Sequence, residues 1–181
     1  GKSQNGRLVS PRGYSSRIAE CKIGDGSRPR HLLPTKMKTQ VEFRSDAFPP
    51  YEGEEEEINP GRYGKRVAEF LVRGLRDKGY EPLEPVPTDW GWIVPIKNDD
   101  FDLWIGCGNY EEYPDDGFLC FIEPHQPRVR RRLFWTIDTV ARVTALQEAI
   151  DHLLSANSAI RDKKWWTYEE FNISPRQPVT Q

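Results

Sequence analysis

Residues 89–124 read DWGWIVPIKNDDFDLWIGCGNYEEYPDDGFLCFIEP, and this stretch decides the fold. Three runs rich in branched and aromatic residues, Trp92 to Lys97, Phe101 to Gly106 or a little beyond, and Phe118 to Glu123, alternate with turn-forming segments. The turns are Asn98-Asp99-Asp100 and Tyr113-Pro114-Asp115-Asp116-Gly117. Runs of the first kind form strands, and Asn, Asp, Pro and Gly between them reverse the chain. Connections this short imply an antiparallel meander. Phe118 to Ile122 is nearly all apolar, which predicts a central strand covered on both faces.

Upstream, Lys38 to Arg44 alternates, with Val41 and Phe43 on one side and Gln40, Glu42 and Arg44 on the other, the pattern of a half-buried strand. A loop through Phe48, Pro49 and Pro50 leads to the acidic run Glu54 to Glu57. Asn59 and Pro60 then supply an N-cap and a first-turn proline, and Tyr63, Val67, Phe70, Leu71 and Leu75 recur at helical spacing. The spacing predicts a helix over 60–78, closed by Gly79.

Downstream, Asp138 is a plausible N-cap for a second amphipathic helix carrying Val143, Leu146, Ile150, Leu153 and Leu154 and ending near Asn157. Ile160 to Trp166 suits a last strand, and Thr167 with Glu170 resembles a capping box for one terminal turn. The order is β-α-β-β-β-α-β. Its simplest solution is an α+β two-layer sandwich, with two helices on one face of a mostly antiparallel sheet.

A single domain therefore spans residues 37–171, in keeping with 181 residues in all. Residues 1–36 are rich in Gly, Ser, Pro and Arg without apolar periodicity, and the only methionine is Met37. Such a leader is expected to be disordered. Its origin has three readings: an artefact of cloning or reading frame upstream of a natural start, a transit peptide, or a native arm. Residues 172–181, with Pro175 and Pro178, read as a flexible tail.

The net charge of -2 is unevenly placed: residues 1–36 carry about +6 and the remainder about -8. An acidic domain argues against nucleic acid as a general partner, since phosphate needs a basic surface. No run is long and apolar enough to span a bilayer, so no membrane partner is expected. Cys21, Cys107 and Cys120 are too scattered for a disulfide framework or a zinc site. Reduced thiols in a cytoplasmic protein, with no metal and no cofactor, are the expectation.

Several constellations bear on chemistry. Cys107, between Gly106 and Gly108 at a strand end, is a candidate nucleophile that His125 could activate. The plainer alternative is a small buried side chain at a bulge. Glu111, Glu112 and Glu123 are strand-end carboxylates available for acid or base work. Glu54 to Glu57 reads as a solvated run before a helix N-terminus. Arg128, Arg130, Arg131 and Arg132 read as an anion clamp, or as a charged edge that discourages aggregation. Six tryptophans are many for this length. Trp165 and Trp166 are adjacent, so on a strand they point to opposite sides, and at least one is free to join a binding face with Trp90 and Tyr110.

The segments Asp89-Trp90-Gly91-Trp92, Trp104 to Tyr110 and Gly117 to Pro124 resemble those of a family of short bacterial proteins of unknown function. The likeness spans Met37 to Phe171. It implies a start at Met37 and carries over no activity and no site residue.

Two functional readings follow. The preferred one is a non-enzymatic protein-interaction module, such as an inhibitor, an immunity-type protein or an accessory subunit. Its acidic and aromatic face would include Trp90, Tyr110, Glu111, Glu112, Trp165 and Trp166, with another protein as partner. The alternative is a small hydrolase or transferase using Cys107 and His125 or the strand-end carboxylates.

Overall fold

The computed structural model describes residues 36–109, 116–131 and 135–173. The expected leader, apart from Lys36, the expected tail beyond Ile173, and Tyr110, Glu111, Glu112 and Arg132 lie outside the described residues.

Strand β1 (Lys38–Arg44) is followed by one turn of helix, α1 (Glu54–Glu57), and by the long helix α2 (Lys65–Asp77). A two-residue strand β2 (Val86–Pro87) precedes the meander β3 (Trp92–Ile96), β4 (Leu103–Asn109) and β5 (Gly117–Glu123). A hairpin β6 (Arg128–Arg131) and β7 (Trp135–Asp138), helix α3 (Val140–Ala156), strand β8 (Arg161–Thr167) and a short helix α4 (Tyr168–Ile173) complete the chain.

The main sheet has the order β2-β3-β4-β5-β1-β8, antiparallel throughout, and β6 and β7 form a separate two-stranded sheet. The α+β fold with a largely antiparallel sheet is thus the one expected from the sequence. The first strand inserts between β5 and the last, so β5 is central as the apolar run implies.

Period-two alternation sets the two faces of this sheet. Val41 and Phe43, Trp92, Val94 and Ile96, Leu103, Ile105 and Cys107, and Phe118, Cys120 and Ile122 all point to one side and are buried. Helix α2 lays Val67, Ala68, Leu71, Val72 and Leu75 on that side, and α3 lays down Val143, Leu146, Ile150 and Leu154. Each Val, Leu or Ile side chain among them contributes about 1.5–3 kcal/mol when taken out of water.

Three expectations need correction. Helix α2 begins at Lys65, not at residue 60, because its first amides are capped from a distance: the Glu54 carboxylate accepts from the Gly64 and Lys65 N–H groups at 2.7 Å. Residues before it form a turn pinned by Asn109, whose side chain accepts from the Tyr63 N–H at 3.0 Å and donates to the Gly61 carbonyl at 3.0 Å. The N-cap residue of α3 is Thr139 rather than Asp138, although Asp138 still accepts from the Val140 N–H at 3.0 Å. The central strand β5 is buried on one face only; Leu119, Phe121 and Glu123 on the other are half-buried.

The terminal capping box forms as expected, with Thr167 N–H donating to Glu170 at 3.0 Å and Glu170 N–H to the Thr167 hydroxyl at 3.2 Å. Gly79 takes a φ of +83° at the end of α2. Among the described residues no helix is long and apolar enough to cross a membrane.

Candidate binding face

The sheet face turned away from α2 and α3 carries an aromatic belt. Residue parity places Trp104, Gly106 and Gly108 of β4, Leu119, Phe121 and Glu123 of β5, Gln40 and Glu42 of β1, and Lys164 and Trp166 of β8 on this side. Gly106 stands opposite Phe121, and a Cβ there would come within 2.4 Å of the Phe121 ring. The ring thus lies across the bare backbone of β4. Trp104 packs on it at 5.6 Å between centroids and Trp90 at 5.1 Å, and the two indoles are 6.5 Å apart.

Trp90 reaches the belt because Gly91 turns the chain between it and Trp92. Gly91 has φ +154°, and a Cβ there would stand 2.4 Å from the Cys107 carbonyl oxygen. Gly64 approaches the same oxygen, with a notional Cβ at 2.9 Å. The glycine-rich surroundings of Cys107 therefore admit the protein's own backbone.

At the other end of the belt, Trp166 donates its indole N–H to Glu42 at 2.9 Å, and the Lys164 ammonium lies 3.5 Å from the ring centroid of Trp166. Gln40 sits between the partners Phe121 and Trp166 and is buried. Four strands separate Trp104 from Trp166 inclusively, a span of roughly 14 Å at about 4.8 Å per strand. Arg44, beyond Glu42 on β1, is held by Asp116, which also accepts from Arg161. The Asp116 hydrogen bond and charge raise the Arg44 guanidinium above its ordinary range.

Trp165 points the opposite way. It packs against the core and donates its indole N–H to Asp151 of α3 at 2.8 Å. Burial would raise the Asp151 carboxyl, but hydrogen bonds from Lys163 and Trp165 and the Lys163 charge outweigh it and hold it below its ordinary value. Of the adjacent pair, Trp166 alone belongs to the belt.

Cys107 is fully buried on the helix side, opposite Cys120 on β5. Burial first, and then the hydrogen bond with Cys120, push its thiol well above the usual range, the reverse of what a thiolate nucleophile needs. The His125 ring is engaged elsewhere: Nδ1 lies 2.8 Å from Glu123 Oε1, Nε2 lies 2.9 Å from the Gln126 side chain, and the ring stacks on Tyr168 at 3.7 Å. The structure brings Glu123 and His125 together and leaves Cys107 apart from both. Among the described residues no group of three or more His, Cys, Asp or Glu side chains could hold a metal ion.

Trp104, Phe121 and Glu42 are members of the belt that sequence reasoning did not single out. Alternation along Leu103–Asn109 was the available signal, since it sets Trp104 apart from the core residues Leu103, Ile105 and Cys107. Comparison with known proteins finds no matching family model, no similar curated protein and no similar solved structure.

Proposed function

We propose that the domain is a protein-interaction module of the inhibitor, immunity-type or accessory kind, and that its aromatic belt grips a basic segment of a partner protein. One observation carries this reading: Trp90, Trp104, Phe121 and Trp166 share the sheet face that neither α2 nor α3 covers. A face built only to meet water has no use for three indoles and a phenyl ring, whereas interface centres favour such residues. The choice of a basic segment rests on Glu42 and Glu123 on the same face, on the acidic balance of residues 37–181, and on Lys164. The Lys164 ammonium over Trp166 is an internal example of the cation–π contact that an arriving Lys or Arg would make. The reading extends to a cytoplasmic setting in a bacterium, on the strength of the unpaired thiols and the family resemblance.

A second reading, a small hydrolase or transferase, is favoured only by the Glu123–His125 hydrogen bond, which would orient an imidazole for base work.

The test uses the full chain as bait in its native cell, followed by calorimetry with the captured protein. Trp166→Ala and Trp90→Ala should each weaken binding at least about thirtyfold while the protein stays folded. The contacting segment of the partner should be rich in Lys or Arg. Wild-type affinity in both variants would remove the belt as the working surface. Should His125→Ala abolish an activity in folded protein while the tryptophan changes are silent, the enzyme reading takes its place.

A further inference from the structure

The end of α2, the first turn of α3 and the ends of β3 and β4 enclose a cavity of about 300 Å³. Its deep side is apolar, made by the buried Ile96 and Leu103, and around its mouth stand Lys78, Tyr80, Glu81, Lys97 and Arg142. Internal hydrogen bonds tie these elements together. Lys97 donates its backbone N–H to the Glu81 carbonyl at 2.9 Å and its ammonium to the Glu81 carboxylate at 2.7 Å. Asn98, next in the chain, brings in α3 by accepting from Arg142 Nε at 3.4 Å. Burial raises the Tyr80 phenol above its ordinary value, and the neighbouring Arg142 charge opposes it.

We infer that this cavity is a binding site for a small organic phosphate monoester, with Arg142 and Lys78 taking its phosphoryl oxygens, Lys97 beside them, and its apolar body resting on Ile96 and Leu103. The site lies on the helix side of the sheet and does not depend on the aromatic belt. A guanidinium presents a fork of donors that matches phosphate oxygens, and an ammonium serves as a point charge.

Charge and size select the ligand. Among the described residues Lys97 alone of the three cations is ion-paired, and its partner Glu81 lines the same cavity. Three cations against one carboxylate leave a formal charge of about +2, which a phosphate monoester meets with about -1.5 to -2 at neutral pH. A carboxylate brings one charge and leaves the rest unmet. The carbonyls at the end of α2, which would repel an anion, are occupied: Leu75 accepts from the Lys78 and Tyr80 N–H groups and Arg76 from that of Gly79. A cavity of this volume is at the small end of ligand pockets and suits a body no larger than one ring or a short chain. Glu81 both repels the ligand and engages Lys97, so it acts as a built-in competitor.

The test titrates the full-length protein with phenyl phosphate and follows backbone amide chemical shifts, with benzoate and a phosphotyrosine peptide in parallel. Shifts should centre on Gly79, Lys97 and Arg142, and affinity should fall as salt rises. Lys78→Gln and Arg142→Gln should each weaken binding at least about tenfold without a change in melting temperature, since both side chains are exposed. Glu81→Gln should tighten it severalfold, an effect that damage to the fold would not produce. Benzoate should bind more weakly than phenyl phosphate. Tighter binding of the peptide would assign the phosphate to a modified protein, and tighter binding of phenyl phosphate to a free metabolite. Absence of binding, shifts centred elsewhere, unchanged affinity in the Lys78 and Arg142 variants, no gain in Glu81→Gln, or benzoate as tight as phenyl phosphate would each overturn the proposal.

Discussion

Trp92 donates its indole N–H to the carboxylate of Glu54 at 2.8 Å, and both side chains are buried to within 1% of full exclusion from solvent. The same carboxylate accepts from the N–H groups of Tyr51, Gly64 and Lys65. One acidic side chain therefore joins the start of α2, the turn before it and the first strand of the meander.

Removing that carboxylate leaves four donors without it, the buried Trp92 indole and Gly64 N–H and the part-buried Tyr51 and Lys65 N–H groups, and each buried one costs about 1–3 kcal/mol if unsatisfied. Glu54→Ala should lower stability by about 3 kcal/mol or more in urea titration. Glu55→Ala, one residue on and exposed, should stay within about 0.5 kcal/mol. Equal losses at the two positions would dissolve the distinction between them.

Leu71 of α2 and Leu146 of α3 are both fully buried on the helix side of the sheet. Truncating either to alanine should cost about 2–5 kcal/mol by loss of transfer free energy and the cavity left behind.

Cys107 and Cys120 are enclosed, and burial raises the Cys107 thiol. Iodoacetamide at neutral pH should label neither in folded protein and both in urea, as read by mass spectrometry of the two peptides. Rapid modification of Cys107 in the native state would contradict its placement. Cys107→Ser should leave partner affinity unchanged.

Asp151 links α3 to β8 through Lys163 and Trp165, and its folded carboxyl titrates below its ordinary value of 3.8. A lowered folded value means that the unfolded chain binds the proton more readily. The stabilisation is therefore complete above the unfolded value and is lost as pH falls through the folded one. Asp151→Asn should be less stable than wild type at neutral pH, and the difference should shrink in acid below about pH 3.8. A gap that is constant across that range would exclude the carboxylate as its source.

The meander, both long helices and the last strand were legible because each carries its own local signal: alternation, three- and four-residue spacing, or turn residues. The start of α2 was not, because its cap comes from Glu54, ten residues before Gly64, and local pattern cannot express that. The acidic run looked uniform, yet Glu54 is buried and Glu55, Glu56 and Glu57 are exposed. The opposite orientation of Trp165 and Trp166 followed from adjacency on a strand, but which of them faces the helices depends on the pairing of Val41 with Trp165, a long-range fact. The sheet order was equally hidden, since nothing local to β1 says that it lies between β5 and β8.

The turn at Gly91 puts Trp90 into the belt and Trp92 into the core within three residues. A partner that grips Trp90 takes hold of the same short segment that secures Glu54 and, through it, the first amides of α2. On the proposed function, partner binding by Trp90 and the stability of α2 would depend on the same short turn. Over evolutionary time, changes that refit position 90 to a new partner would be filtered by what they do to the helix, so this end of the belt should drift slowly while the Trp166 end, which leans on Glu42 and Lys164, is freer to diversify.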